Sequence, residues 1–318
     1  EMCIRDRPRL ALLFLLSGVT LLAIQDTLIK FIADYTSFWQ IQILRSLGNM
    51  LLIIIFAFFG AGLRAIFPKQ LLLVCFRSLL LVMCMFFFFA AAPFLSISQM
   101  AAGLYTYPLF VSMLAIPFLG EKIGKWRLIA LLVGALGAAL TLDFFNKDFS
   151  RLQLFPVAAG FFYACNIMVL RRYCRRESIL ALTFFTALAF FLSGVAGILF
   201  LYFIPFSQEI NVALTFVTIG WPELTLFVVL FAALASFLNL MGNVGLTRAY
   251  QTAESSFLAP ADFSYLIFVA ICGKLIFGSW PTANAFLGMA LIATAGIIIV
   301  WQERHIDTKL KRSKFDIG

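Results

Sequence analysis

Charge is scarce in this chain. Asp, Glu, Lys and Arg make up 12% of its 318 residues, where a water-soluble domain carries about 25%. Histidine is scarcer: the one copy, His305, lies in the C-terminal tail, which excludes a histidine-rich metal or haem site and a serine–histidine membrane protease. No P-loop is present for ATP, and no aspartate-rich motif for magnesium pyrophosphate. The reading therefore assigns no catalytic residue, no metal ligand and no cofactor. The six cysteines build no disulfide framework: apart from Cys3 they fall in apolar runs or, as Cys174, in a basic loop, and reduced thiols are expected. Nothing resembles a soluble domain or a low-complexity linker.

What is present is apolar. Hydrophobic residues make up 63% of the chain and cluster in runs near 20 residues, the length of helix that crosses a bilayer core of about 30 Å. Ten spans are expected, near 10–32, 37–59, 71–92, 97–119, 126–145, 153–171, 179–203, 224–246, 255–277 and 282–302. The net charge of +9 is read by location and not as a nucleic-acid footprint. One set of alternate connections, together with the tail, holds fifteen Lys and Arg, among them Arg64, Lys125, Arg172 and Arg248; the other set holds Lys147 and Arg151. The rich set belongs in the cytoplasm, with both termini. All five tryptophans fall at span ends, where amphipathic rings favour the headgroups.

The stretch FLGEKIGKWR (118–127) returns 158 residues later as IFGSWPTANA (276–285), keeping the glycine and losing all four charges. At the same offset stand Ser98/Ser256, Ala101/Ala259, Tyr107/Tyr265, Phe110/Phe268, Val111/Val269 and Gly120/Gly278. A unit of five spans is odd, so a second copy enters the membrane upside down, and its charged loop becomes an external, uncharged one. The fold class is an all-α integral membrane protein of ten transmembrane helices in two inverted five-helix repeats, 10–145 and 153–302, with a tail at 1–9 and a basic cytoplasmic tail at 303–318. Inverted repeats are a hallmark of secondary transporters, whose substrate sits near the midplane between the halves. The opening EMCIRDR (1–7) matches a reading frame through a common transposase-adapter end; it is read either as a sequencing artefact or as an ordinary basic tail.

A family resemblance rests on D-x-x-x-K in span 1, Arg45 in span 2, FRSLL at the start of span 3 and YPLFVSMLAIPFLGEKIG in the first half. The second half adds GLTRAYQTAESSFLAPADFSYLIF, FGSWP and FLGMALIATAGIII. Together they resemble the EamA-type drug/metabolite transporter superfamily, and within it the branch of S-adenosylmethionine-type uptake carriers. Two departures stand out: Asp262-Phe263 replaces an acidic-tyrosine pair, and Ser279 replaces a glutamate.

A charge at mid-bilayer costs about 2.5–3.5 kcal/mol on insertion scales, so it needs a partner, water or a function. Asp26 and Arg45 both sit roughly 10–12 Å below the outer surface; they form a gate or an anchor for a zwitterionic substrate, or else a structural ion pair. Asp262 follows Pro260, which obstructs the helix ladder; it is read as a cation or proton site, against a salt bridge to Arg248 or Arg77. Span 4 carries Gln99, Tyr105 and Tyr107, with Pro108 and Pro117 as candidate kinks; the tyrosines either stack on and hydrogen-bond a substrate or pack between helices. Asn239 with Asn243, and Tyr163 with Asn166, share helix faces that either line a cavity or join helices. Lys30 and Lys274 are expected to snorkel to the headgroups, and FFFF at 86–89 to pack or face lipid. Gly134 and Gly137 mark a close helix contact, between the repeats or in a homodimer.

The resulting expectation is a secondary carrier in the bacterial cytoplasmic membrane, moving a small amino-acid-like or nucleoside-like metabolite by alternating access. Uptake follows from the resemblance. Export is the nearer rival, and a membrane enzyme or lipid-handling protein without transport the more distant one.

Overall fold

The structure, a computed structural model, describes residues 8–119, 125–144, 146, 149–174, 176–203, 214–252 and 255–315. Glu121 and Lys122 lie outside them. Apolar runs become helices because a helix satisfies its own backbone groups where no water can. In chain order these are α1 (Pro8–Ile32), α2 (Phe38–Phe56, prolonged by a π turn over Ala57–Ala61) and α3 (Leu71–Ala90). Next come α4 (Ile97–Leu104), α5 (Tyr107–Leu119), α6 (Lys125–Thr141), α7 (Phe155–Arg172) and α8 (Ile179–Phe203). After the single turn α9 (Thr215–Thr218) follow α10 (Leu226–Thr252), α11 (Ser255–Asp262), α12 (Ser264–Phe277) and α13 (Ala283–Phe315). Among the described residues seven segments are long and apolar enough to cross a membrane, and Leu128–Thr141 and Ala283–Ile299 are shorter apolar helices. Among the described residues there is no strand.

Short connections make consecutive helical runs antiparallel. We call the side where α1 begins the near face and the opposite side the far face. α1 lies along α10 and α3 along α7; α2 packs on α8 and α6 on α13. α1 also touches α12, as α7 touches α4 and α5, and α2 meets α10 as α3 meets α8. Lipid tails are as apolar as leucine, so close backbone approach holds such helices together better than side-chain bulk. A Cβ on Gly18 would stand 2.7 Å from the Gly242 carbonyl oxygen, and one on Gly137 2.7 Å from that of Gly288. The contact anticipated for Gly137 is therefore made inside this chain, by α6 against α13.

On the far face the start of α2 is tied to α9 and the residues that follow it. Ser37 and the Trp39 indole donate to the carbonyls of Gly220 (2.6 Å) and Val217 (2.8 Å), and the Gln40 amide donates to that of Pro222 (2.9 Å). Beneath them the FFFF run packs inward. Phe88 and Phe89 are buried, Phe86 lies 5.7 Å from Phe38, and Phe87 stacks on Phe162 at 5.5 Å. Lys30 departs from the snorkelling expectation: its ammonium donates to the Ala92 carbonyl and lies 5.6 Å from the centre of the Phe277 ring. The reason is local, since carbonyls just past the C-terminus of α3 have no helical partner and attract a cation. Lys274 stays exposed and donates to Gly278 O in its own last turn (2.8 Å).

Candidate substrate site

Two helices break at the same place. Tyr105, which ends α4, has ψ 6°, and Phe263, which precedes α12, has ψ −11°, against about −42° in a regular α-helix. At the second break the Leu266 amide turns to Phe263 O (3.1 Å). The Asp262 carbonyl leaves the helix ladder and accepts from the Tyr105 hydroxyl at 3.3 Å. The expected interruption near Pro260 is present, although the ladder opens three residues later, after Asp262.

Both breaks face a cavity of about 620 Å³. Asp26, Arg45, Tyr105, Tyr107, Tyr163, Asn166, Asn239, Asn243 and Asp262 all line it. Gln99 does not. It occupies the third position of α4, where its side chain closes a capping box with Ser96 and reaches Thr141 O (3.3 Å). The spacing S-x-x-Q is the sequence signature of that cap, and it was the signal for assigning Gln99 to the helix end. The cavity also takes in Gln25, Asn49, Arg77, Thr186 and Tyr265, which sequence reasoning did not select. Two of them had a signal. Tyr265 is the repeat partner of Tyr107, and Asn49 lies one turn from Arg45 on the same helix face.

The two aspartates are held differently. The carboxylate of Asp26 receives Gln25 Nε2 on one oxygen (2.8 Å) and the Tyr265 hydroxyl on the other (2.5 Å). Gln25 is steadied in turn by the Asn239 amide (2.8 Å). Asp262 receives the Tyr107 hydroxyl on Oδ2 at 3.3 Å. The tyrosines form one aromatic wall: Tyr105 stacks on Tyr265 at 5.0 Å, and Tyr107 meets Tyr163 edge-on at 4.9 Å.

Arg45 is 5% exposed and lines the cavity, yet among the described residues no side chain accepts from its guanidinium. The ion pair weighed for Asp26 and Arg45 is not formed, because Tyr265 and Gln25 occupy the carboxylate. Neither Arg77 nor Arg248 forms an ion pair with Asp262. Next to Arg45 on the α2 face, Asn49 Oδ1 is buried without a donor. A sheltered cation with five N–H donors and a neighbouring unsatisfied carbonyl together suit a ligand that offers both an anion and an N–H. At one end the lining reaches Met85, Asp26 and Arg45, five, six and seven residues from the far-face ends of α3, α1 and α2. At the other it reaches Leu170, two residues from the near-face end of α7.

Residues 9–143 match the EamA-like transporter family. The resemblance read from the sequence is thereby borne out. A riboflavin transporter of Vibrio cholerae is 28% identical over 208 residues, 65% of this chain and 63% of that protein, so the match spans less than two thirds of the relative's length. An S-adenosylmethionine uptake transporter of Rickettsia felis is 23% identical over 301 residues, 95% of each chain. One solved crystal structure shares the fold at a TM-score of 0.52 and 15% identity, over 92% of this chain and 98% of that one. The chain is thus similar to proteins named as transporters, and its apolar helices suit a membrane.

Proposed function

We propose that the protein is a secondary carrier that takes up a small zwitterionic metabolite with an aromatic or heterocyclic part across the bacterial cytoplasmic membrane. It works by alternating access between two inverted halves, residues 10–145 and 153–302. One observation carries the reading: Arg45, with no side-chain acceptor among the described residues, faces a cavity of about 620 Å³ lined by tyrosines and amides from both halves.

The helix pairings support the duplication. Exchanging α1 with α7, α2 with α8, α3 with α10, α4–α5 with α11–α12 and α6 with α13 turns α1·α10 into α7·α3 and α2·α10 into α8·α3. It leaves α2·α8 and α6·α13 unchanged. The breaks at Tyr105 and Phe263 are 158 residues apart, the offset of the paired sequence identities. Broken helices with freed carbonyls beside a substrate site are a transporter device. The basic connections put the near face in the cytoplasm, and the cavity lining runs to within two residues of the near-face end of α7, which we take as an inward-facing state.

Arg45 anchors the substrate carboxylate, Asn49 accepts from its ammonium, and the tyrosine wall stacks on the ring. Asp262 is the coupling carboxylate, and Asp26 acts through the tyrosine it holds. S-adenosylmethionine, the compound in the name of one relative, has all three elements; riboflavin, from the other, has the ring alone. The test is counterflow of labelled S-adenosylmethionine and riboflavin in proteoliposomes. Saturable flux of S-adenosylmethionine is expected, with Arg45→Gln weakening half-saturation about tenfold or more, the scale of a charged hydrogen bond. Absence of saturable flux for either compound and for methionine overturns the carrier reading.

A further inference from the structure

A second arginine stands at the other end of the cavity. Arg77 is the seventh residue of α3, which starts at the near face. Its guanidinium makes one hydrogen bond among the described residues, Nη1 to Thr186 Oγ1 at 3.2 Å. Its Nε is buried with no acceptor. Thr186 is itself fixed, donating to Leu182 O at 2.7 Å. The guanidinium is therefore held by one corner while its other donors go unused. Across the α3·α7 contact, Asn166 is 3% exposed, lines the same cavity, and buries its Oδ1 without a donor.

Buried polar groups find partners in folded proteins, and an unmet charged donor is the costliest exception. An arginine with one acceptor and a buried Nε left unmet among the described residues, and a carbonyl lacking a donor, on two packed helices, present demands like those of Arg45 and Asn49. A purely structural arginine would have its donors met by protein carbonyls. We infer that Arg77 and Asn166 form a second head-group station near the cytoplasmic face. It receives the carboxylate and ammonium of the substrate after they leave Arg45 and Asn49. The inference rests on the carrier reading and deepens it: the cargo is an α-amino acid derivative, recognised twice by its head group along one path.

The experiment compares S-adenosylmethionine with its decarboxylated analogue, which lacks the carboxylate, in proteoliposomes of the full chain. The wild type is expected to favour the carboxylate-bearing compound by about ten- to a hundredfold in half-saturating internal concentration. Arg77→Gln is expected to lower that preference about tenfold, leaving the share that Arg45 supplies, while Arg77→Lys, which keeps the charge but not the fork, loses less of it. Should Arg77→Gln not yield folded protein, Arg77→Lys decides, since loss of the fork alone should lower the preference measurably below that of the wild type. Full preference in the decisive variant overturns the second station and leaves the carrier standing. Transport of riboflavin but not of S-adenosylmethionine does the same. No transport of any probe overturns both readings.

Discussion

Asp26 and Asp262 are each an acid inside an apolar helix, and the tertiary structure separates them. Asp26 has donors on both oxygens, one of them at 2.5 Å, and so serves to hold Tyr265 and Gln25 in place. Asp262 receives, among the described residues, the Tyr107 hydroxyl at 3.3 Å on one oxygen and no donor on the other, which suits the coupling role proposed for it. Asp262→Asn keeps the acceptor for Tyr107 and removes the charge. It is expected to abolish proton-coupled flux while changing stability by about 1 kcal/mol or less, the scale of one hydrogen bond. Flux driven by a pH gradient in proteoliposomes, with a thermal melt of the same preparation, checks both halves, and undiminished coupled flux rules out the coupling role. The opposite is expected of Tyr265→Phe. It strips Asp26 of its shortest bond, should destabilise the protein by about 1–3 kcal/mol, and should weaken substrate binding through the stacked Tyr105.

At the scale of the element, α3 begins without a side-chain cap of its own. Glu177, from the connection between α7 and α8, supplies one: its two carboxylate oxygens accept from the amides of Lys69 and Gln70 at 2.9 and 2.8 Å. The negative charge also sits at the positive end of the helix dipole. Glu177→Ala should lower stability by about 1 kcal/mol, the usual cost of a lost cap, seen as a lower melting temperature of purified protein. An unchanged melt removes Glu177 from the stabilising contacts. Several helix bounds were legible from the sequence, because a run of apolar residues is a local property, but α10 and α13 continue past the expected 246 and 302 to Thr252 and Phe315, since a helix need not end where its apolar run does. α8 coincides with the span expected at 179–203, and α12 ends at Phe277 as expected. Both breaks had a signal in a proline. Pro260 pointed to the second, and Pro108 to the first, which falls at Tyr105 in the turn before it, where a proline removes a ladder hydrogen bond and its ring obstructs the carbonyl four residues back.

For the whole molecule, the reading as two inverted halves makes one demand that a parallel duplication would not. Lys125, at the start of α6, and Thr282, just before α13, occupy matching places in the two halves. Lys125→Cys and Thr282→Cys should be labelled from opposite sides of the membrane by an impermeant thiol reagent. Labelling from one side only would end the inverted arrangement and the alternating-access mechanism with it.

The sequence alone determined the solvent, the helical class and the family resemblance, because these depend on composition, on the length of apolar runs and on the order of motifs along the chain. It also marked nine of the residues that line the cavity, since a polar group inside an apolar run is conspicuous wherever it points. Tertiary structure decided which of those groups are already satisfied. Tyr265 reaches Asp26 across 239 positions, and Asn239 reaches Gln25 across 214. Local sequence holds no record of such pairings, for a hydrogen bond forms only when two atoms come within about 3 Å. Which charges stay open to a substrate is therefore set by how the helices pack.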